Sequence, residues 1–356
     1  MVFRPVPRRP CETLTRDGLW TDIYRLQEPL IITQCPIGPC ASTWDAQYLK
    51  QQCGQKEVSV HVAEERSLNF VNRNFQYRLM KLADAIDCMA ARGERSDGQD
   101  GCNGTAASAQ WLSYRALGER PYKDVASLQA FGKAIEGDFC LPEELRPPDS
   151  CLFSTVLRLA TPGVRLWAHY DVPDNFLAQV KGTKRVLLFP PTQVGNLYIR
   201  PQDSSSPVVG LLSAEGEAGV DFDKYPRARA ALDAAWEGCL SAGDVLFIPA
   251  LWLHTVEMRA LDHGDLSISV NVFFHSPLLI ENKAGLFDGK DIYGNKDLVP
   301  FVKAMKTVDS QVMPLLRALP EPYRQFYFTK LASSLEEEGR TQADTESKGS
   351  EEQGSA

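Results

Sequence analysis

The spacing of apolar positions along the chain changes character twice. Near the N-terminus, Ser42 and Thr43 precede Trp44–Cys53, and Gly54 follows. Hydroxyl caps, apolar Trp44, Tyr48 and Leu49, then glycine predict one short helix. Glu57–Val62 alternates apolar and polar residues, the period of a half-buried strand. Residues 91–110 are glycine-rich and polar and predict a mobile loop. From about residue 150 the pattern becomes strand-rich. Thr155–Leu159, Asn175–Val180, Arg185–Phe189, Asp244–Ile248 and Leu266–Phe274 are β-branched or apolar, each bounded by Gly, Pro or Asp. Lys181–Lys184 reads as a hairpin turn, Ser241–Asp244 as a second turn, and residues 200–223 as a polar insertion. Short strands separated by turns imply an antiparallel barrel or jelly roll.

The last segment is helical. Phe301, Met305, Val308, Val312 and Leu315 recur at three- and four-residue spacing, and Pro314 should kink or end that helix. Pro320–Pro322 opens another helix, with Tyr323, Phe326, Tyr327, Leu331 and Leu335 along one side. Such stripes must bury themselves, on the barrel's own flank or against a second copy. The expected organisation is a helix and strand region over 1–110, a barrel over 111–285, a helical region over 286–335 and a disordered acidic tail over 336–356.

With 356 residues, 44% apolar and 24% charged, the chain is not collagen-like, wholly disordered or membrane-embedded. Its longest apolar run, Val245–Leu253, is broken by Pro249 and falls short of the roughly 20 residues a membrane span needs. The start shows no secretory signal, and nine scattered cysteines do not form a disulfide framework. A cytoplasmic or nuclear protein is expected. The net charge of −8 argues against a nucleic-acid partner until it is divided: residues 336–356 carry −5, leaving −3 for the rest. Arg8, Arg9, Lys290, Lys296, Lys303, Lys306, Arg324 and Lys330 are then candidate phosphate contacts.

The chemistry gathers around His169-Tyr170-Asp171. In an extended segment residues i and i+2 share a face, so the imidazole and the carboxylate can converge on one ion. His254 ends a turn–strand–proline element and can supply the third ligand. Two His and one carboxylate suit a non-haem Fe(II) oxygenase, with positions left open for reactants. His61, in a strand, reads as packed or surface; His263 lies in a polar loop, and His275 has no carboxylate partner at ligand spacing. A 2-oxoglutarate co-substrate needs a cation for its distal carboxylate, and Lys184, opening a strand, can reach inward. Asn175 and Asn271 sit in apolar strands, where an amide must be paired; they either bind co-substrate or satisfy the backbone.

These residues, with Lys184–Pro191 and Gly243–Trp252, resemble the JmjC family of Fe(II)/2-oxoglutarate oxygenases. The resemblance runs from about Gly18 to Leu331 and includes Glu57–Ala63, Ala168–Val172, Tyr293–Asp297 and Glu321–Tyr327. It implies a mostly β fold, a cupin-like double-stranded β-helix with flanking helices, and a homodimer through the C-terminal helices. It makes His169, Asp171 and His254 iron ligands, Lys184 the partner of the distal carboxylate, and Asn175 and Asn271 amides near the co-substrate. The family's usual tyrosine position appears as Ser113, and Tyr114 could replace it only with a one-residue shift. Within the family the likeness is to members that modify tRNA. It implies dioxygen-dependent hydroxylation of the 7-(3-amino-3-carboxypropyl)wyosine side chain at position 37 of tRNA(Phe). Arg158, in a strand, is then a candidate partner of that zwitterionic group. A protein hydroxylase or histone demethylase, and an iron-free binding scaffold, are the competing readings.

Overall fold

Turn residues and alternating apolar positions organise the chain into two facing sheets. The computed structural model describes residues 2–93, 110–117, 127–213, 219–259 and 266–352, except for 277–278, 281–284, 288, 290 and 292. His263, Lys290 and most of the expected loop 91–110 lie outside these residues. The chain divides into two compact units, Met1–Leu298 and Val299–Ala356. The first therefore extends past the boundary expected at 285.

The strands of the first unit are β1 (Arg4–Pro5), β2 (Arg8–Pro10), β3 (Leu30–Thr33), β4 (Glu57–Ala63), β5 (Phe75–Lys81), β6 (Trp111–Leu117), β7 (Leu152–Ala160), β8 (Asp174–Lys181), β9 (Thr183–Phe189), β10 (Trp236–Leu240), β11 (Val245–Ile248), β12 (Leu253–Arg259) and β13 (Ser267–Phe274). One sheet runs β1-β10-β9-β12; the other runs β2-β3-β11-β8-β13-β7-β6-β4-β5. The β8–β9 hairpin turns at Gly182, whose φ is +76°, and a Cβ there would lie 2.7 Å from the Arg259 carbonyl oxygen. Glycine is required on both counts.

Alternation decides which residues fill which side. Leu177, Val186, Leu188, Leu246, Ile248, Val256 and Met258 form an apolar layer between the sheets. Phe176, Phe247 and Phe274, one position out of phase, face the other way and pack with Trp20 and Ile23 of helix α1 (Arg16–Leu26). Leu49 of α2 (Ala46–Cys53) and Ile86 and Met89 of α3 (Leu82–Gly93) join the same cluster. A third cluster covers Leu187, Phe189 and Leu253 with Leu197, Leu211, Leu212 and Tyr225. The insertion read as polar thus supplies apolar cover.

Several boundaries move. Helix α2 begins at Ala46, not Trp44, because the Asp45 carboxylate accepts the Tyr48 amide at 2.7 Å and outcompetes the hydroxyls. Ser42 and Thr43 instead bond back to the Pro39 carbonyl. Strand β4 is buried on both faces: Val58, Val60 and Val62 pack into the cluster beneath the helices, while His61 and Ala63 face the other layer.

In the second unit, α4 (Val299–Thr307) passes through a π-helical turn, Val308–Val312, into α5 (Met313–Arg317). Pro314 does not end the helix; the ladder widens just before the residue that has no N–H to donate. Helix α6 runs Tyr323–Glu352, across the segment whose composition predicts disorder. That segment carries six glutamates and no proline, which is compatible with the helix running on into it. Phe301, Leu315, Tyr323, Phe326, Tyr327, Leu331 and Leu335 are exposed. No helix among the described residues is long and apolar enough to cross a membrane.

Candidate metal centre and its cavity

Backbone pairing brings the two histidines together across 85 positions of sequence. Residues 164–169 run antiparallel to β12. The His169 amide donates to the His254 carbonyl at 3.0 Å, and the His254 amide donates back at 2.7 Å. Directly opposed residues project to one face, and the two imidazole centroids are 4.4 Å apart. Asp171, two residues on, turns to the same side: its Oδ2 is 3.7 Å from His254 Nε2. Donor atoms of His169, Asp171 and His254 all lie within 4.8 Å of one another.

The turn before β12 fixes His254 in place. Leu251 adopts φ +64°, and the Asp174 carboxylate accepts the Ala250 amide at 2.8 Å. The Trp252 indole donates to the Gln27 carbonyl at 2.8 Å. Both histidines repeat one device. His169 Nδ1 lies 3.0 Å from the Trp167 carbonyl and His254 Nδ1 lies 3.0 Å from the Trp252 carbonyl. A carbonyl can only accept, so each Nδ1 carries the proton and each Nε2 keeps its lone pair for a metal. Burial lowers the pKa of both rings to about 4, so they stay neutral near pH 7. Burial pushes Asp171 up to about 6, partly opposed by His254 and Arg158. Two neutral imidazoles and one carboxylate make a mixed N/O donor set that suits Fe(II).

The centre opens into a cavity of about 230 Å³. Lys184 lines it, buried, and donates to the Ser269 hydroxyl; desolvation and then Arg158 bring its pKa down to about 7. Asn271 Nδ2 donates to Asn175 Oδ1 at 3.1 Å, and Arg158 Nε donates to Asn271 Oδ1 at 3.4 Å. The three residues form one chain along the wall, and desolvation lowers the Arg158 pKa. Ser113, in register with His61 and Ala160, takes the cavity face. Tyr114 borders the cavity, but its ring packs T-shaped on Phe131 at 5.8 Å in the cluster beneath the helices. The one-residue shift that would make Tyr114 a co-substrate contact is not seen.

Other cavity residues carry no sequence motif. A bulge between Ser59 and Val60 of β4 leaves Arg115 of β6 without a strand partner. There Arg115 donates to the Tyr293 hydroxyl at 2.5 Å and lies over the Tyr77 ring at 4.6 Å. His61 is packed rather than exposed, among Phe75, Tyr77 and Trp167. His275 sits between Phe153 and Phe287, away from the centre. Of the candidate phosphate contacts, Arg8 pairs with Asp244, Arg9 with Asp22 and Arg324 with Glu321. Lys296, Lys303, Lys306 and Lys330 are exposed.

Residues 17–278 match the cupin-like domain family. The chain is 34% identical over 334 residues to tRNA wybutosine-synthesizing protein 5 of Homo sapiens, covering 94% of this chain and 96% of that one. Its counterpart in Danio rerio is also 34% identical, over 88% of this chain and 87% of its own. tRNA wybutosine-synthesizing protein 4 of Aspergillus oryzae is 32% identical over 94% of this chain, which corresponds to 29% of that longer protein. Two facing sheets, a convergent His–Asp–His cluster and these matches agree: the chain belongs to the cupin-like domain family, among relatives that include tRNA wybutosine-synthesizing protein 5.

Proposed function

We propose that the protein is an Fe(II)- and 2-oxoglutarate-dependent hydroxylase of the 7-(3-amino-3-carboxypropyl)wyosine side chain at position 37 of tRNA(Phe). The observation that carries this reading is the convergence of His169, Asp171 and His254, each imidazole with Nε2 free, in the cavity that also contains buried Lys184. The names of the relatives supply the tRNA substrate.

His169, Asp171 and His254 would hold the iron. With dioxygen and 2-oxoglutarate bound, the metal supplies the oxidation, one oxygen atom going to the substrate carbon and the other to succinate as carbon dioxide leaves. Lys184, with Ser269, binds the distal carboxylate of 2-oxoglutarate, and a buried cation facing a carboxylate offsets the desolvation of both. The Asn175–Asn271 pair lies along the co-substrate and orients it. Arg158, held by Asn271, receives the carboxylate of the substrate side chain. The apolar layer beneath the centre excludes water from the reacting carbon. The exposed aromatic and leucine positions of α4, α5 and α6 support a homodimer through these helices. The free cysteines among the described residues fit a reducing cytoplasm or nucleus.

The deciding experiment is mass spectrometry of position 37 after incubating the protein with tRNA(Phe) carrying the unhydroxylated base, Fe(II) and 2-oxoglutarate. A product heavier by one oxygen atom, absent without 2-oxoglutarate and absent in His169→Ala and Asp171→Ala, is expected. Turnover on a peptide with none on tRNA would overturn the substrate. Full activity in both variants would overturn the iron site.

A further inference from the structure

The metal centre leaves one wall of the cavity unused, and that wall is aromatic. Phe70 and Trp167 both line it, with ring centroids 5.2 Å apart and planes inclined by 34°. Phe75, buried and outside the lining, stacks on Trp167 at 15° and 5.7 Å. Phe75 thus backs the indole, while Trp167 and Phe70 themselves line the cavity. His61 braces the group, 4.5 Å from Phe75 and edge-on to Trp167 at 5.7 Å. Burial keeps that imidazole neutral, with a pKa brought down to about 3, so the wall is uncharged.

Trp167 also touches the chemistry. Its carbonyl accepts from His169 Nδ1, and its ring centroid is 6.0 Å from that of His169. A flat ligand lying on this wall is therefore beside the donor atoms. An extended peptide would bring backbone groups that need hydrogen-bond partners, which two hydrocarbon ring faces do not offer. A heterocyclic base presents a π-face and needs none there.

We propose that Trp167 and Phe70 are the stacking platform for the substrate's tricyclic base and set the preference for that base over plain guanosine at position 37. The larger fused ring covers more of the platform than guanine does. This rests on the tRNA reading above and adds its specificity determinants. Arg158 recognises the side chain; the platform recognises the ring that carries it.

The test measures equilibrium binding, under nitrogen, of the full-length protein to two forms of tRNA(Phe), one with the tricyclic base lacking the amino-carboxypropyl side chain that Arg158 receives, and one with guanosine at position 37. Guanine also presents a π-face, so wild type should favour the tricyclic form by only part of one base–aromatic stack, about 5-fold. Phe70→Leu and Trp167→Leu should bring this ratio toward one, weakening the tricyclic form more than the guanosine form, whose phosphate contacts persist. Trp167→Phe and Phe70→Tyr, which keep a π-face, should retain the ratio. A wild-type ratio in both leucine variants would overturn the platform, as would loss of the ratio in the conservative variants. Wild type that hydroxylates position 37 yet binds both forms equally would overturn the platform alone. Wild type that neither binds nor hydroxylates tRNA would overturn the tRNA reading with it.

Discussion

Replacing Lys184 by methionine separates two effects that the structure combines at one residue. The ammonium is buried and hydrogen-bonded to Ser269, and its pKa falls from 10.5 to about 7. Between those values the unfolded chain holds a proton that the folded chain has released, so stability of the ligand-free protein rises with pH across this window. Below about pH 7 the full penalty applies; the shift corresponds to roughly 4–5 kcal/mol. Methionine removes it but leaves the Ser269 hydroxyl without its donor, a loss of about 1–3 kcal/mol. The variant should therefore be more stable than wild type at pH 7, by about 1–3 kcal/mol, and lose that advantage near pH 10. Binding of 2-oxoglutarate should move the opposite way. Truncating one partner of a buried charge pair costs about 3–5 kcal/mol, or roughly 10²- to 10⁴-fold in affinity. Urea unfolding at pH 7 and pH 10 reads the first effect; anaerobic titration of the Fe(II)–2-oxoglutarate absorption band reads the second. An advantage of the variant over wild type that does not shrink between pH 7 and 10 would refute the desolvation argument, since the buried thiols titrate alike in both. Unchanged co-substrate affinity in the variant would refute the anchor.

Asp171→Asn should raise the stability of the metal-free protein at pH 8 by about 3 kcal/mol, because the buried carboxylate, with its pKa raised to about 6, is forced to ionise there. The same variant should show no Fe(II)–2-oxoglutarate band; a normal band would count against the ligand set. Phe247→Ala should cost about 3–5 kcal/mol in chemical denaturation, since its buried ring packs between Phe176 and Phe274. Replacing Phe326 and Leu331 together by aspartate should convert a dimer to monomer in sedimentation equilibrium. A wild-type mass that stays monomeric at every concentration would dispose of the C-terminal interface.

The barrel was legible because its strands are short, apolar and separated by obligatory turns such as Gly182. His169 and Asp171 were legible because an extended segment places i and i+2 on one face. What could not be read was register. Nothing local in the sequence says that His254 lies opposite His169, or that Arg115 is displaced by a bulge. The aromatic wall was also hidden, since Phe70, Phe75, His61 and Trp167 come from separate segments without a shared period. Its only local sign is that Trp167 precedes His169 by two and so shares its face. In the tail, net charge and low hydrophobicity did not reveal that helix α6 runs on to Glu352.

The reciprocal amide bonds between His169 and His254 give metal loading a thermal meaning. Any ion held by both rings cross-links β12 to residues 164–169, and those strands cannot part without breaking two metal bonds as well as two hydrogen bonds. Deuterium uptake at these two amides then becomes a gauge of site occupancy, slow when loaded and faster when empty, even before any substrate is known.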